Sequence, residues 1–270
     1  MPSHPQTILQ VKNLVKRFRD FAAVDDISFA VQEKEIFALL GPNGAGKSTT
    51  IKMLITLLSP TGGEGSIGEF DLIRDAAKVR RIIGYVPQSI SVDGTLTAYE
   101  NLMLMAKLYD IPKNERDKNV KEVLEFLSLT DHAKALVRTF SGGMIRKLEI
   151  GQAMIHHPVV LFLDEPTSGL DPVARQNVWK HLRDLRDHFH TTIFFTTHHM
   201  EEAEDMCDRI AIMNSGKIAA IGTSTELKAQ TKRPNASLED VFVHFTGSDL
   251  QKSGNFREIR RTRQTEKRLG

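Results

Sequence analysis

Only one cysteine, Cys207, occurs among the 270 residues. Its solitude excludes an internal disulfide and any cysteine-rich metal site, and it fits a reducing compartment. Long apolar runs are missing as well. The longest unbroken ones reach five residues, as in Val159 to Leu163, against the ~20 that a membrane-spanning helix needs. Nor is there an excess of one charge, since 36 Lys and Arg face 34 Asp and Glu for a formal +2. The basic bias sits at the end. Residues 251 to 270 carry seven Lys or Arg and two Glu, which leaves 29 basic against 32 acidic residues, a net −3, for the first 250. A basic tail is not the clustered footprint of a nucleic-acid-binding domain, and no nucleic-acid partner is expected. The tail, residues 248–270, reads as a solvated, disordered end, with contact to anionic lipid head groups as the sharper alternative. Met1 to Thr7 is polar and contains proline, so no secretory segment is expected.

What is present suits a globular chain of one large domain or two modest ones, with 40% apolar and 26% charged residues. Ile8 to Val11 and Ile27 to Val31 alternate apolar with polar, the pattern of antiparallel strands with one buried face. Glu35-Ile36-Phe37-Ala38-Leu39-Leu40 reads as a strand leading into a Gly-rich turn. Lys47 to Leu58 follows with Ile51, Leu54, Ile55 and Leu58 at helical spacing. Ile82 to Val86, Val159 to Leu163 and Thr192 to Phe195 lack polar alternation, as parallel strands covered on both faces do. Between them, residues 97 to 157 read as consecutive helices. The first is opened by a Thr97 to Glu100 capping box and stops before Pro112, and the next carries a stripe of Val120, Val123, Leu124 and Leu127. Another helix is expected from Met144 to His157. Arg209 to Gly222 reads as two strands joined at a Ser-Gly turn. The expected fold class is α/β with a small antiparallel layer and a helical insert.

The strongest chemical signal is Gly41-Pro42-Asn43-Gly44-Ala45-Gly46-Lys47-Ser48, a G-x-x-x-x-G-K-[ST] run between a strand and a helix. Its glycines let backbone N–H groups turn inward, the helix start adds a positive end, and Lys47 adds a cation. A triphosphate fits that pattern, and the Ser48 hydroxyl offers an oxygen to Mg²⁺. Asp164 ends a buried strand where open α/β sheets bind ligands, and is expected to hold the same ion through its water shell. Glu165 reads either as the base that polarises an attacking water or as a second metal-side or solvated acid. Ser141-Gly142-Gly143 forms an anion-ready helix start, a pattern shared with ordinary ligand-free caps.

In this order the motifs resemble those of the ATP-binding subunit of ABC transporters, over about residues 5 to 247. The resemblance implies a P-loop NTPase core with an N-terminal antiparallel β-subdomain and an inserted all-helical subdomain at about 89–157. It implies that Gly41 to Thr49 is the Walker A loop, Gln88 the Q-loop glutamine that approaches Mg²⁺, and Ser141 to Gly143 the signature motif acting in trans. Asp164 then closes Walker B, Glu165 is the catalytic base, Asp171 lies in the D-loop, and His198 is the switch histidine. Phe18, which on its own pattern reads as core packing, falls where the family stacks an aromatic on adenine. ATP and Mg²⁺ are the implied ligands. A second nucleotide-binding subunit and a separate transmembrane permease are the implied partners, at the cytoplasmic face of the cell membrane.

Phe140, Met144, Lys34, Ala38 and Gln152 depart from the commonest family residues. The Ser-Gly-Gly-Met form and Ser237 to Phe242 are similar to the daunorubicin or drug-resistance type of exporter, which implies a drug, antibiotic or lipid-like cargo. A soluble ABC-type ATPase without a permease is the alternative. It lacks its usual marks here, long coiled-coil inserts or two nucleotide domains in one chain.

Overall fold

In the computed structural model, residues 6–247 are described. The basic tail and its two readings lie outside them. Strands β1 (Thr7–Phe18) and β2 (Phe21–Gln32) pair antiparallel and bury Leu9, Val11, Leu14, Val24, Ile27 and Val31 on one face. The alternation in the sequence is that buried face. After β3 (Ile36–Leu40) and helix α1 (Lys47–Leu54), strands β4 (Gly62–Ile67) and β5 (Phe70–Asp71) complete a four-stranded sheet in the order β2-β1-β4-β5.

Helix α2 (Ala76–Ile82) leads to β6 (Ile83–Val86), and three helices then depart from the sheet: α3 (Ala98–Leu108), α4 (Lys113–Phe126) and α5 (Gly142–Met154). The chain returns through β7 (Val160–Asp164), α6 (Pro172–Phe189), β8 (Thr192–Thr197), α7 (Met200–Met206), β9 (Arg209–Asn214) and β10 (Lys217–Gly222), and ends in α8 (Ser224–Gln230) and α9 (Leu238–Thr246). The second sheet runs β10-β9-β3-β8-β7-β6, parallel except for the edge strand β10. Its strands β3, β7 and β8 are buried along their whole length because both faces are covered. One face packs with the antiparallel layer and α1 around Phe29, Phe37 and Phe194, and the other packs on α6 and α9 around Trp179, Phe195 and Phe242. The helical insert has its own cluster, centred on Leu102, Val120, Leu124 and Leu148.

Two helices differ from the sequence expectation in their boundaries. Helix α1 stops at Leu54 instead of reaching Leu58, because Thr56 turns left-handed at φ 62°, and the N–H groups of Leu57 and Leu58 fold back onto the Lys52 carbonyl. The apolar spacing was sound and only its end was misplaced: Ile51, Leu54 and Ile55 are buried. Helix α5 starts two residues earlier than Met144 and ends at Met154, since Ser141 caps it by accepting the Met144 N–H at 3.3 Å. The expected capping box of α3 is present, with Thr97 and Glu100 bonded reciprocally.

Candidate functional site

Strand order brings the carboxyl ends of β3, β8, β7 and β6 side by side. The glycine turn after β3, Gln88 after β6, Asp164 and Glu165 at the end of β7, and His198 after β8 therefore share one edge of the sheet. The Gly41 N–H donates to the Thr197 carbonyl at 3.2 Å and fastens the turn to β8. Two glycines are required for steric reasons. A Cβ on Gly41 would overlap the Met213 carbonyl, while Gly46 sits at φ 108° against the Ala23 carbonyl as the N-cap of α1. Asn43 and Gly44 are exposed at the rim of the turn, Pro42 and Ala45 are buried beneath it, and Ser48 and Thr49 lie half-buried in the first turn of α1.

Lys47 is buried, and its ammonium donates to the carbonyls of Gly41 at 2.8 Å and Pro42 at 3.2 Å. It also stands 3.4 Å from Glu165 Oε1. Burial pulls the amine below its ordinary range, and the Glu165 and Asp164 carboxylates oppose that pull.

Asp164 Oδ1 accepts from the Ser48 hydroxyl at 3.2 Å and from the Thr196 hydroxyl at 2.6 Å. Glu165 adopts a left-handed φ of 50°, held by its N–H donating to both the Thr196 carbonyl and the Thr196 hydroxyl. The turn aims its carboxylate back across the sheet edge. Gln88 Nε2 donates to Glu165 Oε2 at 3.2 Å, and His198 Nδ1 lies 3.2 Å from Glu165 Oε1 without hydrogen-bond alignment. Lys47, Gln88 and His198 thus surround one carboxylate. Between the two adjacent histidines, His198 faces Glu165, whereas the His199 backbone N–H donates to Thr197 and the residue opens α7.

Other candidates stand apart from this cluster. Ser141 is exposed, and its hydroxyl caps α5. Gly142 and Gly143 pack toward Leu170 and Ala174 at the start of α6. Asp171 caps α6 by accepting from the Val173 and Ala174 N–H groups at 3.0 and 2.9 Å. Among the described residues no hydrogen bond or ion pair joins Ser141, Gly142, Gly143 or Asp171 to the glycine turn. Phe18 is 47% exposed, facing Phe21 across the tip of the first hairpin. The core-packing reading of Phe18 is therefore overturned.

Two polar residues to which the motifs gave no role of their own belong to the cluster, Thr196 within the switch-histidine run and Glu202 outside every motif. Thr196 bridges Asp164 to the Glu165 backbone from a strand that also carries Thr192 and Thr197, so nothing in the strand's own pattern singled it out. Glu202 on α7 is buried. It accepts from the hydroxyls of Thr167 and Thr197, and lies 3.5 Å from Arg175 Nε. It joins the turns that follow Glu165 and precede His198 to the start of α6, and no spacing in the chain announced it.

No group of three or more His, Cys, Asp or Glu side chains that could hold a metal occurs among the described residues. Ser48 and Asp164 instead offer two adjacent oxygens at the glycine turn. That suits a hard divalent ion whose other positions are filled by phosphate and water.

A strand, a glycine turn and a helix with its lysine, facing an acid at the end of a neighbouring parallel strand, define a P-loop nucleoside triphosphatase. The family described as ABC transporter matches residues 24–168. The linearmycin resistance ATP-binding protein LnrL of Bacillus subtilis is 44% identical over 220 residues, which are 82% of this chain and 70% of that protein. The daunorubicin/doxorubicin resistance ATP-binding protein DrrA of Streptomyces peucetius is 40% identical over 229 residues, 85% of this chain and 69% of its own length. A solved ATP-binding subunit of an ABC transporter superposes with a TM-score of 0.79 at 32% identity, covering 89% of this chain and all of that one. The chain belongs to the ABC transporter family, as an ATP-binding subunit that hydrolyses ATP.

Proposed function

We propose that residues 5–247 form one ATP-binding domain that pairs head to tail with a second nucleotide-binding subunit. The pair drives export of a drug, antibiotic or lipid-like compound through a separate transmembrane permease at the cytoplasmic face of the cell membrane. The cargo class rests on likeness to linearmycin and daunorubicin/doxorubicin resistance proteins. No helix among the described residues is long and apolar enough to cross a membrane, and the transport path is assigned to another chain.

One observation carries the hydrolytic reading: a single carboxylate, Glu165, surrounded by Lys47, Gln88 and His198 at the phosphate turn. The inward N–H groups of Gly41 to Thr49 and the Lys47 ammonium hold the phosphates of ATP. Ser48 and Asp164, with Gln88 beside them, would hold Mg²⁺, which supplies Lewis-acid polarisation of the phosphate oxygens. Glu165 takes a proton from water as the water oxygen attacks the γ-phosphorus. The bond to the β-phosphate oxygen breaks, and ADP departs. His198 donates a hydrogen bond to the γ-phosphate, and the exposed Phe18 ring stacks on adenine. Ser141 to Gly143 of one subunit complete the γ-phosphate site of the other, with Asp171 at the shared boundary. The outward exposure of Ser141 and Gly142 supports that arrangement.

The test is Glu165→Gln. Loss of the base lowers hydrolysis by about 10² to 10³ while ATP still binds, so the variant accumulates as an ATP-dependent dimer in size-exclusion chromatography with light scattering. Normal turnover refutes the base assignment. Co-purification of a multispan protein with the native chain is the expected result for export. Repeated recovery of soluble partners alone overturns it in favour of the soluble alternative.

A further inference from the structure

Helix α5 carries a buried stripe that an ordinary core helix lacks. Arg146, Glu149 and Gln152, three residues apart, are 5%, 2% and 8% exposed; the first two are spent on the segment that follows β6 and the third on Asn101 of α3. The Arg146 guanidinium donates to the carbonyls of Pro87 at 2.9 Å and Gln88 at 3.3 Å. Glu149 Oε1 accepts from the Ser91 N–H at 2.6 Å and the Ser91 hydroxyl at 3.0 Å, and its Oε2 lies 3.0 Å from Arg146. One turn further, Gln152 Nε2 donates to Asn101 Oδ1 at 3.2 Å, and Asn101 in turn holds the carbonyls of Asp93 and Thr97. Burying an ion pair is costly, and apolar side chains of similar volume would stabilise the helix as well or better. A stabilising role alone does not account for the stripe.

Its geometry does. Residues 87–91 hold the glutamine that touches Glu165, whereas the first turn of α5 holds Ser141 to Gly143, the exposed face assigned to the neighbouring subunit's nucleotide. Arg146 and Glu149 grip the former from within the first two turns of the latter.

We propose that Arg146 and Glu149 are positioning residues that make the Gln88 segment and the start of α5 move as one body, so that occupancy of a subunit's own site is transmitted to the site it completes in its partner. The inference rests on the head-to-tail dimer proposed above. Removing the pair leaves the phosphate turn intact but uncouples the two sites. Cooperativity falls while the single subunit's affinity for nucleotide stays.

The experiment compares the wild-type protein with the Arg146→Met/Glu149→Leu double variant, which replaces both charges with apolar groups of similar size. Binding of a slowly hydrolysed ATP analogue to the single subunit, below the concentration at which it dimerises, is expected to agree within about twofold, because no phosphate ligand changes. Hydrolysis against ATP concentration is expected to give a Hill coefficient approaching 2 for the two-site wild-type dimer and about 1 for the variant, with kcat about tenfold lower. A loss of folded protein alone would lower the amplitude and leave the Hill coefficient unmoved.

A double variant with wild-type kcat and Hill coefficient overturns the proposal, as does a wild-type Hill coefficient of 1. ATP-dependent dimerisation of Glu165→Gln is scored separately: without it the dimer reading itself fails, and with it only the role of the pair is at stake. Should the double variant not fold, hydrogen exchange on the wild-type protein decides. Peptides covering 87–92 and 141–147 are expected to change protection together on analogue binding, and change in one without the other overturns the proposal.

Discussion

The sheet edge and the helical insert handle their functional groups in opposite ways. At the edge the ionisable groups are closed on one another: Lys47 with Glu165, Ser48 and Thr196 with Asp164, and Gln88 with Glu165. At the insert, Ser141 stands exposed with its hydroxyl satisfied only by its own helix. The edge gathers its groups within one chain, whereas the insert turns Ser141 and Gly142 outward. The head-to-tail dimer proposed above gives that contrast a use, since each molecule would carry both a nucleotide site and the segment that completes its partner's.

The largest effect expected from disturbing this contrast comes from Ser141→Asp. An aspartate still caps α5, so the fold is retained, but in the proposed dimer it would set a carboxylate against the neighbour's γ-phosphate. Hydrolysis is expected to fall by about 10² to 10³, as for loss of a phosphate donor, while analogue binding to the single subunit stays within about twofold. Steady-state ATPase assays and equilibrium binding check this, and unchanged turnover breaks the comparison.

A smaller effect is expected at the seam where the insert rejoins the sheet. His156 stacks on Tyr109 with ring centroids 3.7 Å apart, and its Nε2 lies 3.0 Å from the Ile83 carbonyl. Burial is the main cause that pushes its pKa down to about 4. The folded ring stays neutral to about pH 4, while the unfolded chain takes up its proton near pH 6.5. Stability therefore declines as pH falls through that window and levels off below it. The contribution is at most about 3 kcal/mol, from the size of the shift. His156→Phe keeps an aromatic on Tyr109 and removes this pH-dependent part. Urea unfolding at neutral pH and at pH 4.5 is expected to show a smaller difference in the variant than in the wild type. Equal differences would remove His156 as the acid-sensitive element of the seam.

The smallest effect is expected at the hairpin tip. Phe18→Ala removes an exposed ring, so the melting temperature is expected to stay constant. KM for ATP is expected to rise roughly fivefold, about 1 kcal/mol of lost stacking. A fall in melting temperature with unchanged KM would return Phe18 to a packing role.

Much of this was legible in the chain before any coordinates. The glycine turn, its strand and its helix start are contiguous in sequence, so their pattern and structure coincide. The capping box of α3 and the alternation of β1 are local in the same sense. Helix ends were less legible. The stop of α1 depends on the left-handed turn at Thr56, which no glycine or asparagine advertised, and the start of α5 depends on whether Ser141 caps. Glu202, Arg146 and Glu149 were not legible at all, and Thr196 was legible only as a neighbour of His198. Each is a polar residue whose partners lie on other elements, and its burial depends on how those elements pack.

By itself, then, the sequence determined a phosphate-binding turn, the order of motifs along the chain, and the division into β-layer, parallel core and helical insert. These follow from short-range periodicity and backbone freedom. Tertiary structure alone decided that Glu165 is the carboxylate on which Lys47, Gln88 and His198 converge, and that α5 holds the Gln88 segment by buried charges. Those residues are far apart in the chain. They meet because parallel strands laid side by side bring their carboxyl ends to one edge, an arrangement set by strand order and not by any local pattern.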